Sequence, residues 1–325
     1  MELLFLMDPL ERAQPNADTT YALLRAAHTL GLRTQVGLAS SLSLVGGTPM
    51  VRSRAVRVPG GPGAHFEYLG PPQHRRVDSF GCAWLRTDPP FNLAYVESTW
   101  ILDRVDRKRT LLVNDPTGIR GANEKLYGLR FPQLCPPSLV TADRGLLLAF
   151  VAEHREVVLK PLDAAGGSGI LFAQQGMRGL NSLLEVATEG GRRCEAQAYL
   201  AGASQGDKRI LLLDGAPLGA ILRVHGEGEE RNNLHLGGHA ESASLDRADR
   251  EIIEALAPAL REDGLYFVGI DVIGGKLTEV NVTSPTGIQE MSQFDGEDYA
   301  ARVIRWCQER AADGLSAGPT PAVTN

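Results

Sequence analysis

Short apolar blocks separated by polar loops mark the first 115 residues, and the spacing inside each block predicts its element. Residues 3–7 are an apolar run that stops at Asp8-Pro9, the pattern of a buried strand opening into a loop. Apolar positions recur at helical spacing over 21–30, and Gly31 ends that run. Residues 36–44 alternate weakly and predict a strand, whereas 59–76, rich in Gly, Pro and Arg, predict an exposed connection. Another apolar run, 82–85, is closed by Thr87-Asp88-Pro89-Pro90; helical spacing follows over 94–105 and a strand over 111–113. Strands alternating with helices predict an α/β fold with a doubly wound, largely parallel sheet.

The texture changes after Gly121. A helix start is expected at Asn123-Glu124-Lys125, then a strand over 156–161. A glycine-rich loop, 163–169, leads into apolar residues 170–172, an order that suits an antiparallel hairpin better than a phosphate loop before a helix. Further on come strands over 209–213 and 218–224, a polar loop over 225–240, a helix over 246–262 and a hairpin over 266–282. Residues 314–325 are rich in Gly, Pro, Ala and Ser and are expected to be disordered. No internal repeat is visible.

Composition narrows the class. A chain of 325 residues with 43% hydrophobic content can bury two or three domain cores. The net charge of −6, from 33 basic and 39 acidic residues, argues against a nucleic-acid partner, which needs a basic face. Cys82, Cys135, Cys194 and Cys307 are scattered, with no pair two residues apart, and read as reduced thiols of a cytoplasmic protein. The N-terminus lacks a basic region and breaks at Pro9, so it reads as a first strand and not as a signal peptide. The longest apolar run, 146–152, is far too short to span a bilayer, which leaves no role for a membrane.

Several groups have the makings of a site. Glu279 and Asn281 are two apart in a strand and share a face, where a carboxylate and an amide oxygen suit a hard cation such as magnesium. Asp271 joins them only if it pairs with Glu279, which a two-residue turn at Gly274-Gly275 forbids and a three-residue connection, 274–276, allows. The alternative is a hairpin with a solvated polar face. Gly166, Gly167 and Ser168 belong to a loop whose backbone N–H groups can approach phosphate oxygens, or to a plain hairpin tip. Lys160 ends the apolar strand, where a lysine needs an anion unless it snorkels to the surface; Lys125 sits beside the helix start expected at 123. Arg86 ends a parallel strand, the place where α/β sheets bind ligands, or is a surface arginine. Gln197, Tyr199 and Leu200 offer extended backbone to a planar base, or form a linker. Asp207 and Arg209 head a strand, and Arg231 lies in a polar loop; either arginine is placed to stabilise a phosphoryl group or belongs to a solvated charge run. His235 and His239 are four apart, but Gly237 and Gly238 between them argue against a zinc helix.

Taken in order, these segments resemble bacterial glutathione synthetases of the ATP-grasp superfamily. The likeness is carried by MDPL (7–10), RTDPPF (86–91), NDPTGIRGANEKL (114–126), VVLKPLDAAGGSGI (157–170), QAYL (197–200), GDKRILLLDG (206–215) and FVGIDVIGGKLTEVNVTSPTGIQE (267–290). It extends to about residue 310. The resemblance implies an N-terminal α/β domain (1–122) followed by a two-part α+β ATP-grasp domain with antiparallel sheets, a lid part (123–200) and a catalytic part (201–313). It implies ATP and Mg2+ as cofactors, with Mn2+ as an alternative ion. It places Lys125, Lys160 and the loop Gly166-Gly167-Ser168 on the phosphates, Gln197, Tyr199 and Leu200 at the adenine, and Asp207 near the ribose. Asp271, Glu279 and Asn281 would hold the metal, Arg209 and Arg231 the transferring phosphoryl group, and Arg86 and Ser284 the peptide-like donor. The implied reaction joins γ-glutamylcysteine and glycine at the expense of ATP, in a cytoplasmic homo-oligomer whose partners are small molecules. The loop 225–240, rich in Gly and charge, would close over the site against water. The family pattern there, Arg-Gly-Asn-Leu-Ala-Ala-Gly-Gly-Arg, is altered to Asn232 at its second position and His239 at its last, and Thr87 replaces a longer polar residue. Two other functions therefore stand beside the main one, a peptide ligase with a different acceptor and a non-catalytic nucleotide-binding protein.

Overall fold

A computed structural model describes residues 1–60, 65–164, 166–226, 238–312 and 314. In chain order the first part contains β1 (Glu2–Met7), α1 (Thr19–Thr29), β2 (Arg33–Val45), β3 (Thr48–Arg57), β4 (Glu67–Tyr68), β5 (Gln73–Arg76), β6 (Cys82–Arg86), α2 (Leu93–Leu102), β7 (Leu111–Val113) and α3 (Pro116–Gly121). Strands β2, β1, β6 and β7 run parallel in that spatial order, and β3 extends the sheet antiparallel with β4 and β5 on its far edge. Both faces of the sheet are covered, and β1 shows why its sequence is apolar at every position from Leu3 to Met7. Leu3 and Phe5 pack with α1 on one side, while Leu4 and Leu6 pack with α2 and α3 on the other. The doubly wound part is as expected. The 59–76 segment differs, because β4 and β5 lie within it and pair with β3, whose alternation escaped notice under its arginines.

Next come β8 (Ser138–Thr141), α4 (Arg144–His154), β9 (Glu156–Pro161), β10 (Leu171–Gln174), α5 (Leu180–Ala187) and β11 (Cys194–Ala198). The four strands form an antiparallel sheet in the order β10-β9-β11-β8. Its core, built on Leu147, Val151, Leu159, Leu184 and Ala196, is separate from the cores beneath the other two sheets. No helix begins at Asn123. The Asn123 side chain instead accepts from the Lys125 backbone N–H and holds a turn, followed by a 3-10 turn over Tyr127–Arg130. The helix here is α3, a few residues earlier, with Pro116 at its first position and Asp115 as its cap. The run at 146–152 is the body of α4, capped by Asp143.

The last part holds β12 (Asp207–Leu213), β13 (Ala216–Val224), β14 (His239–Ser242), α6 (Arg247–Glu262), β15 (Phe267–Ile273), β16 (Lys276–Asn281), α7 (Ile288–Asp295) and α8 (Tyr299–Ala312). The strands form an antiparallel sheet ordered β14-β13-β12-β15-β16. Asp246 and Asp249 make a reciprocal capping box at the start of α6. Helix α8 returns to the first sheet and packs on α1, with Val303, Ile304 and Cys307 fully buried. The expected tail lies outside the described residues except for Gly314, as do most of the loop 225–240 and Ala165.

The first and third sheets share two cores, one on each face, and are joined at Asn114, just after β7. Its amide nitrogen donates to the Phe267 and Val282 carbonyls at 2.8 and 2.7 Å, and its oxygen accepts from the Phe267 N–H at 2.7 Å. All of these groups are buried, so an N114A substitution leaves three backbone groups without partners. Each such group costs about 1–3 kcal/mol. The variant is expected to lose about 3 kcal/mol or more in urea unfolding with an unchanged m-value, and a loss below about 1 kcal/mol would show that the junction relaxes or takes up water.

Candidate active site

A cleft of 630 Å³ lies between the second and third sheets, and Gln14, Asp88 and Pro89 of the first part reach its edge. Strands supply most of its charged lining. Asp207 and Arg209 alternate along β12 and share a face. Arg209 pairs in register with Asp271 on β15, and Asp271 pairs with Glu279 on β16. On the other side of β12, Asp207 stands opposite Arg223 on β13. Neighbouring strands thus place Arg223, Asp207, Arg209, Asp271, Glu279 and Asn281 along one face of the sheet. Gly269 makes room for this arrangement: a Cβ there would lie 3.3 Å from Arg209 Cδ and 2.9 Å from the Pro285 ring.

The register Asp271–Glu279 was expected, but its cause differs. The turn is the two-residue Gly274-Gly275, with Ile273 opposite Lys276 and Val272 opposite Leu277. Thr278 is then an extra residue, a β-bulge, and it restores Glu279 to the face of Asp271. The Thr278 hydroxyl donates to the Asp271 carbonyl at 3.1 Å, which holds the bulge closed.

Asp271 is the most strongly held group. Arg209 donates to both of its oxygens, Arg223 lies 3.0 Å from Oδ2, and Asn281 donates to Oδ2 at 3.3 Å. Burial pushes this carboxyl up, but the Arg209 and Arg223 guanidiniums outweigh burial and hold it well below the ordinary carboxylate range. Asp207 is shifted upward, by burial first and by Asp271, against the pull of Arg223. Arg223 bridges the two acids, donating to Asp207 at 2.7 and 2.5 Å.

Two buried lysines converge on the rim of this rank. Lys160, at the end of β9, lies 3.9 Å from Glu279 Oε1 and 3.7 Å from Glu195 Oε2, and donates to the Gln197 amide oxygen and the Thr278 carbonyl. Lys125 lies 4.0 Å from the same Glu279 oxygen and donates to the Ala164 carbonyl of the glycine loop at 2.6 Å. Gly166, Gly167, Gln197, Tyr199 and Leu200 line the cleft; Ser168, in the same loop, does not. His239 lines it too, with its ring 3.1 Å from the Glu241 carboxylate.

Arg86 lines a second cleft of 660 Å³ above β1 and β6, which shares Asp88 and Pro89 with the first, whereas Ser284 lines the first. Ser284 donates to the Arg86 carbonyl at 3.4 Å. The Arg86 guanidinium donates to the Thr20 hydroxyl and the Pro285 carbonyl, and burial pulls its pKa down. Arg231 and His235 lie outside the described residues.

Three charged residues of this region were missed in the sequence. Arg223 interrupts an otherwise apolar strand, and that interruption was the available signal. Glu195 stands between Cys194 and Ala196 and is fully buried. Glu124 was read only as part of a helix start; its carboxylate accepts from Thr283 Oγ1 at 3.0 Å and is pushed up by burial and by Glu279.

Comparison with known proteins now identifies the family. The prokaryotic glutathione synthetase N-terminal domain matches residues 1–120, and the prokaryotic glutathione synthetase ATP-grasp domain matches residues 124–296. The chain belongs to the prokaryotic glutathione synthetase family. It is similar to glutathione synthetase of Thermosynechococcus vestitus, at 45% identity covering 94% of this chain and 99% of the relative. The Synechococcus elongatus enzyme is 44% identical, with 94% and 97% covered. Among solved structures, D-cycloserine synthetase DcsG superposes with a TM-score of 0.64 at 20% identity, covering 96% of this chain and all (100%) of that one. The ATP-grasp ligase PsnB, solved with its minimal precursor, Mg and ADP, gives 0.62 at 17% identity, with 96% and 98% covered. Those two likenesses bear on the fold alone. The protein is thus an ATP- and Mg2+-dependent carboxylate–amine ligase of the glutathione-forming kind. No helix among the described residues is long and apolar enough to cross a membrane.

Removing the Asp271 charge tests the electrostatics directly. A D271N substitution leaves two buried guanidiniums with only Asp207, and such a break costs about 3–5 kcal/mol. Because the folded carboxyl titrates below its unfolded value, its contribution is complete above the unfolded pKa and is lost only as pH falls through the folded one. The stability gap between parent and variant should therefore be constant from about pH 5 to 8 and narrow only below about pH 4. A gap that closes near pH 6 would contradict the assignment.

Proposed function

We propose that the cleft between the second and third sheets is where ATP activates the donor carboxylate, and that the residues facing it divide the work as follows. Bound Mg-ATP supplies the phosphoryl group that converts a carboxylate into an acyl phosphate, whose phosphate then leaves when the acceptor amine attacks the acyl carbon. Lys125 and Lys160 bind the phosphate chain as buried cations, joined by the backbone of Gly166 and Gly167 with Ser168 beside them. Gln197, Tyr199 and Leu200 border the base, and Asp207 lies toward the ribose. Glu279, Asp271 and Asn281 hold the metal; two carboxylates and an amide oxygen on one face are a fitting donor set for a hard cation. Arg209 faces the transferring group and offsets its charge, a role extended to Arg231 on sequence alone. Arg86 from the adjoining cleft and Ser284 from the first, joined by the Ser284–Arg86 hydrogen bond, orient the donor. The donor is γ-glutamylcysteine and the acceptor glycine, the enzyme is a cytoplasmic homo-oligomer, and the parts 1–122, 123–200 and 201–313 are its domains. Four free, buried cysteines support the reducing compartment.

The observation that carries this reading is the convergence of two buried lysines, Lys125 and Lys160, on the one carboxylate oxygen of Glu279. Buried ammonium groups with only long ion pairs are poised for stronger anions. Mass spectrometry of a mixture of γ-glutamylcysteine, glycine and Mg-ATP should show glutathione with one ADP released per product; ADP release without it, or product only with another amine, would overturn the substrate assignment. A K160M variant should raise the KM for ATP about tenfold or more, the scale of a lost hydrogen bond to a charged group of roughly 1.5–3 kcal/mol. It should also lower Tm, because Glu195 loses its cation. An unchanged KM for ATP with a lowered Tm would make the lysine structural.

Glu279→Gln should raise the Mg2+ concentration needed for half-maximal turnover and reduce kcat, since one anionic oxygen is lost. An unaltered Mg2+ dependence would remove Glu279 from the metal set.

A further inference from the structure

Among the described residues, Glu195 is the one fully buried carboxylate beside the cleft that takes no part in the roles above. It sits in the middle of β11, paired in register with Lys160 across β9, and shares a face with Gln197 two residues on. It is 0% exposed and does not line the cleft, so it lies beneath the groups that do. Its Oε1 accepts from the Gln197 amide nitrogen at 3.2 Å, and its Oε2 stands 3.7 Å from Lys160 Nζ. Lys160 in turn donates to the Gln197 amide oxygen at 3.0 Å. The three side chains close a triangle in which each is fixed by the other two. Oε2 has no hydrogen-bond partner among the described residues. Burial pushes this carboxyl up, and Lys160 is the main group opposing that shift. A buried acid held this way needs its lysine, and the lysine, a flexible four-carbon chain, gains a fixed position from it.

We propose that Glu195 is a positioning residue for the nucleotide, holding the Lys160 ammonium and the Gln197 amide as one rigid unit from below the cleft. The proposal rests on the reading of Lys160 and Gln197 as nucleotide-binding groups. When phosphate oxygens replace Glu279 as the partner of Lys160, Glu195 stays as its counter-charge and keeps the ammonium from swinging out. Gln197 keeps its oxygen toward Lys160 because its nitrogen is engaged by Glu195, which fixes the edge presented to a base. The ordering of both groups is then complete before the nucleotide arrives and lowers the entropic cost of binding it.

Simple Coulomb repulsion predicts the opposite sign. If Glu195 acted only as a negative charge near the phosphates, removing it would tighten ATP binding. The test uses E195Q and E195L in the full chain, with KM measured separately for ATP, donor and acceptor, and Tm alongside. Positioning predicts that the KM for ATP rises about fivefold or more in both variants, while the KM values of the other two substrates stay within about twofold. It also predicts that E195Q raises the KM for ATP by a clearly smaller factor on a K160M background than on the parent, because Lys160, one of the two positioned groups, is gone and only Gln197 remains to be held. A KM for ATP that is unchanged or lower in both variants overturns the proposal, as does a parallel rise in all three KM values tracking a fall in Tm. So does an additive effect in the double variant. If K160M alone leaves the KM for ATP at the parent value, the nucleotide reading itself fails and this proposal falls with it. If K160M raises it and the Glu195 variants do not, only the positioning role is lost.

Discussion

A carboxylate taken out of water between two guanidiniums sets the geometry of the whole catalytic face. Asp271 is almost fully buried, and its desolvation is offset only because Arg209 and Arg223 meet it at hydrogen-bonding distance. That requirement reaches outward through the sheet. Arg209 must stand on the neighbouring strand in register, Gly269 must lack a side chain so that Arg209 can pass, and Asp207 must balance Arg223 from the next pair. The bulge at Thr278 follows from the same demand, since without the extra residue Glu279 would face away from Asp271. One tightly satisfied acid thus orders four strands, and the site residues come to share a face because of it.

The third sheet could not hold this arrangement against the rest of the chain without a firm seat. Asn114 supplies it, using all of its amide to bind backbone of β15 and of the segment after β16. Trp84 on β6 stacks against Phe5 and meets Phe267 edge-on, so aromatic packing continues across the same junction. The second sheet is built differently. Its core is its own, and its Lys160 meets the third sheet through a long ion pair to Glu279 and a hydrogen bond to the Thr278 carbonyl. The cleft lies where a rigidly joined pair of sheets meets a small, independently packed one.

Much of the fold was legible in the sequence because apolar blocks with sharp polar ends have few alternatives. Strands β1, β6 and β7, the hairpin around the glycine loop, and helix α6 all lie where periodicity put them. Failures have local causes. The Asn123 side chain spends its hydrogen bond on a turn rather than on a helix start, and the arginines of β3 mask its alternation. The hairpin register was legible from the need to gather Asp271 and Glu279, but the bulge that achieves it was not, because nothing in Lys276-Leu277-Thr278-Glu279 announces an extra residue. The roles of Arg223, Glu195 and Glu124 escaped the sequence for another reason. A buried charge has meaning only through its partner, and each partner comes from a distant segment: Asp271 for Arg223, Lys160 for Glu195, Thr283 for Glu124. Arg231 could be placed only by resemblance.

The lengths of the ion pairs separate those that build the site from those that use it. Arg209 and Arg223 sit on Asp271 and Asp207 at 2.5 to 3.0 Å, distances at which each guanidinium is locked to its carboxylates. Lys125 and Lys160 stand 3.9 to 4.0 Å from Glu279, beyond hydrogen-bonding reach, while their direct donations go to neutral carbonyl and amide oxygens. Displacing a neutral acceptor or a distant carboxylate with a phosphate oxygen costs little, and the charge-assisted bond formed is stronger than the one given up. Displacing Arg209 from Asp271 would strand a buried charge. On the proposed assignment, the tight pairs would hold their geometry while the lysines exchange partners, leaving Glu279 free to turn its oxygens toward a metal ion. A cleft organised this way can bind and release an anionic ligand without disturbing the sheet that aims its catalytic groups.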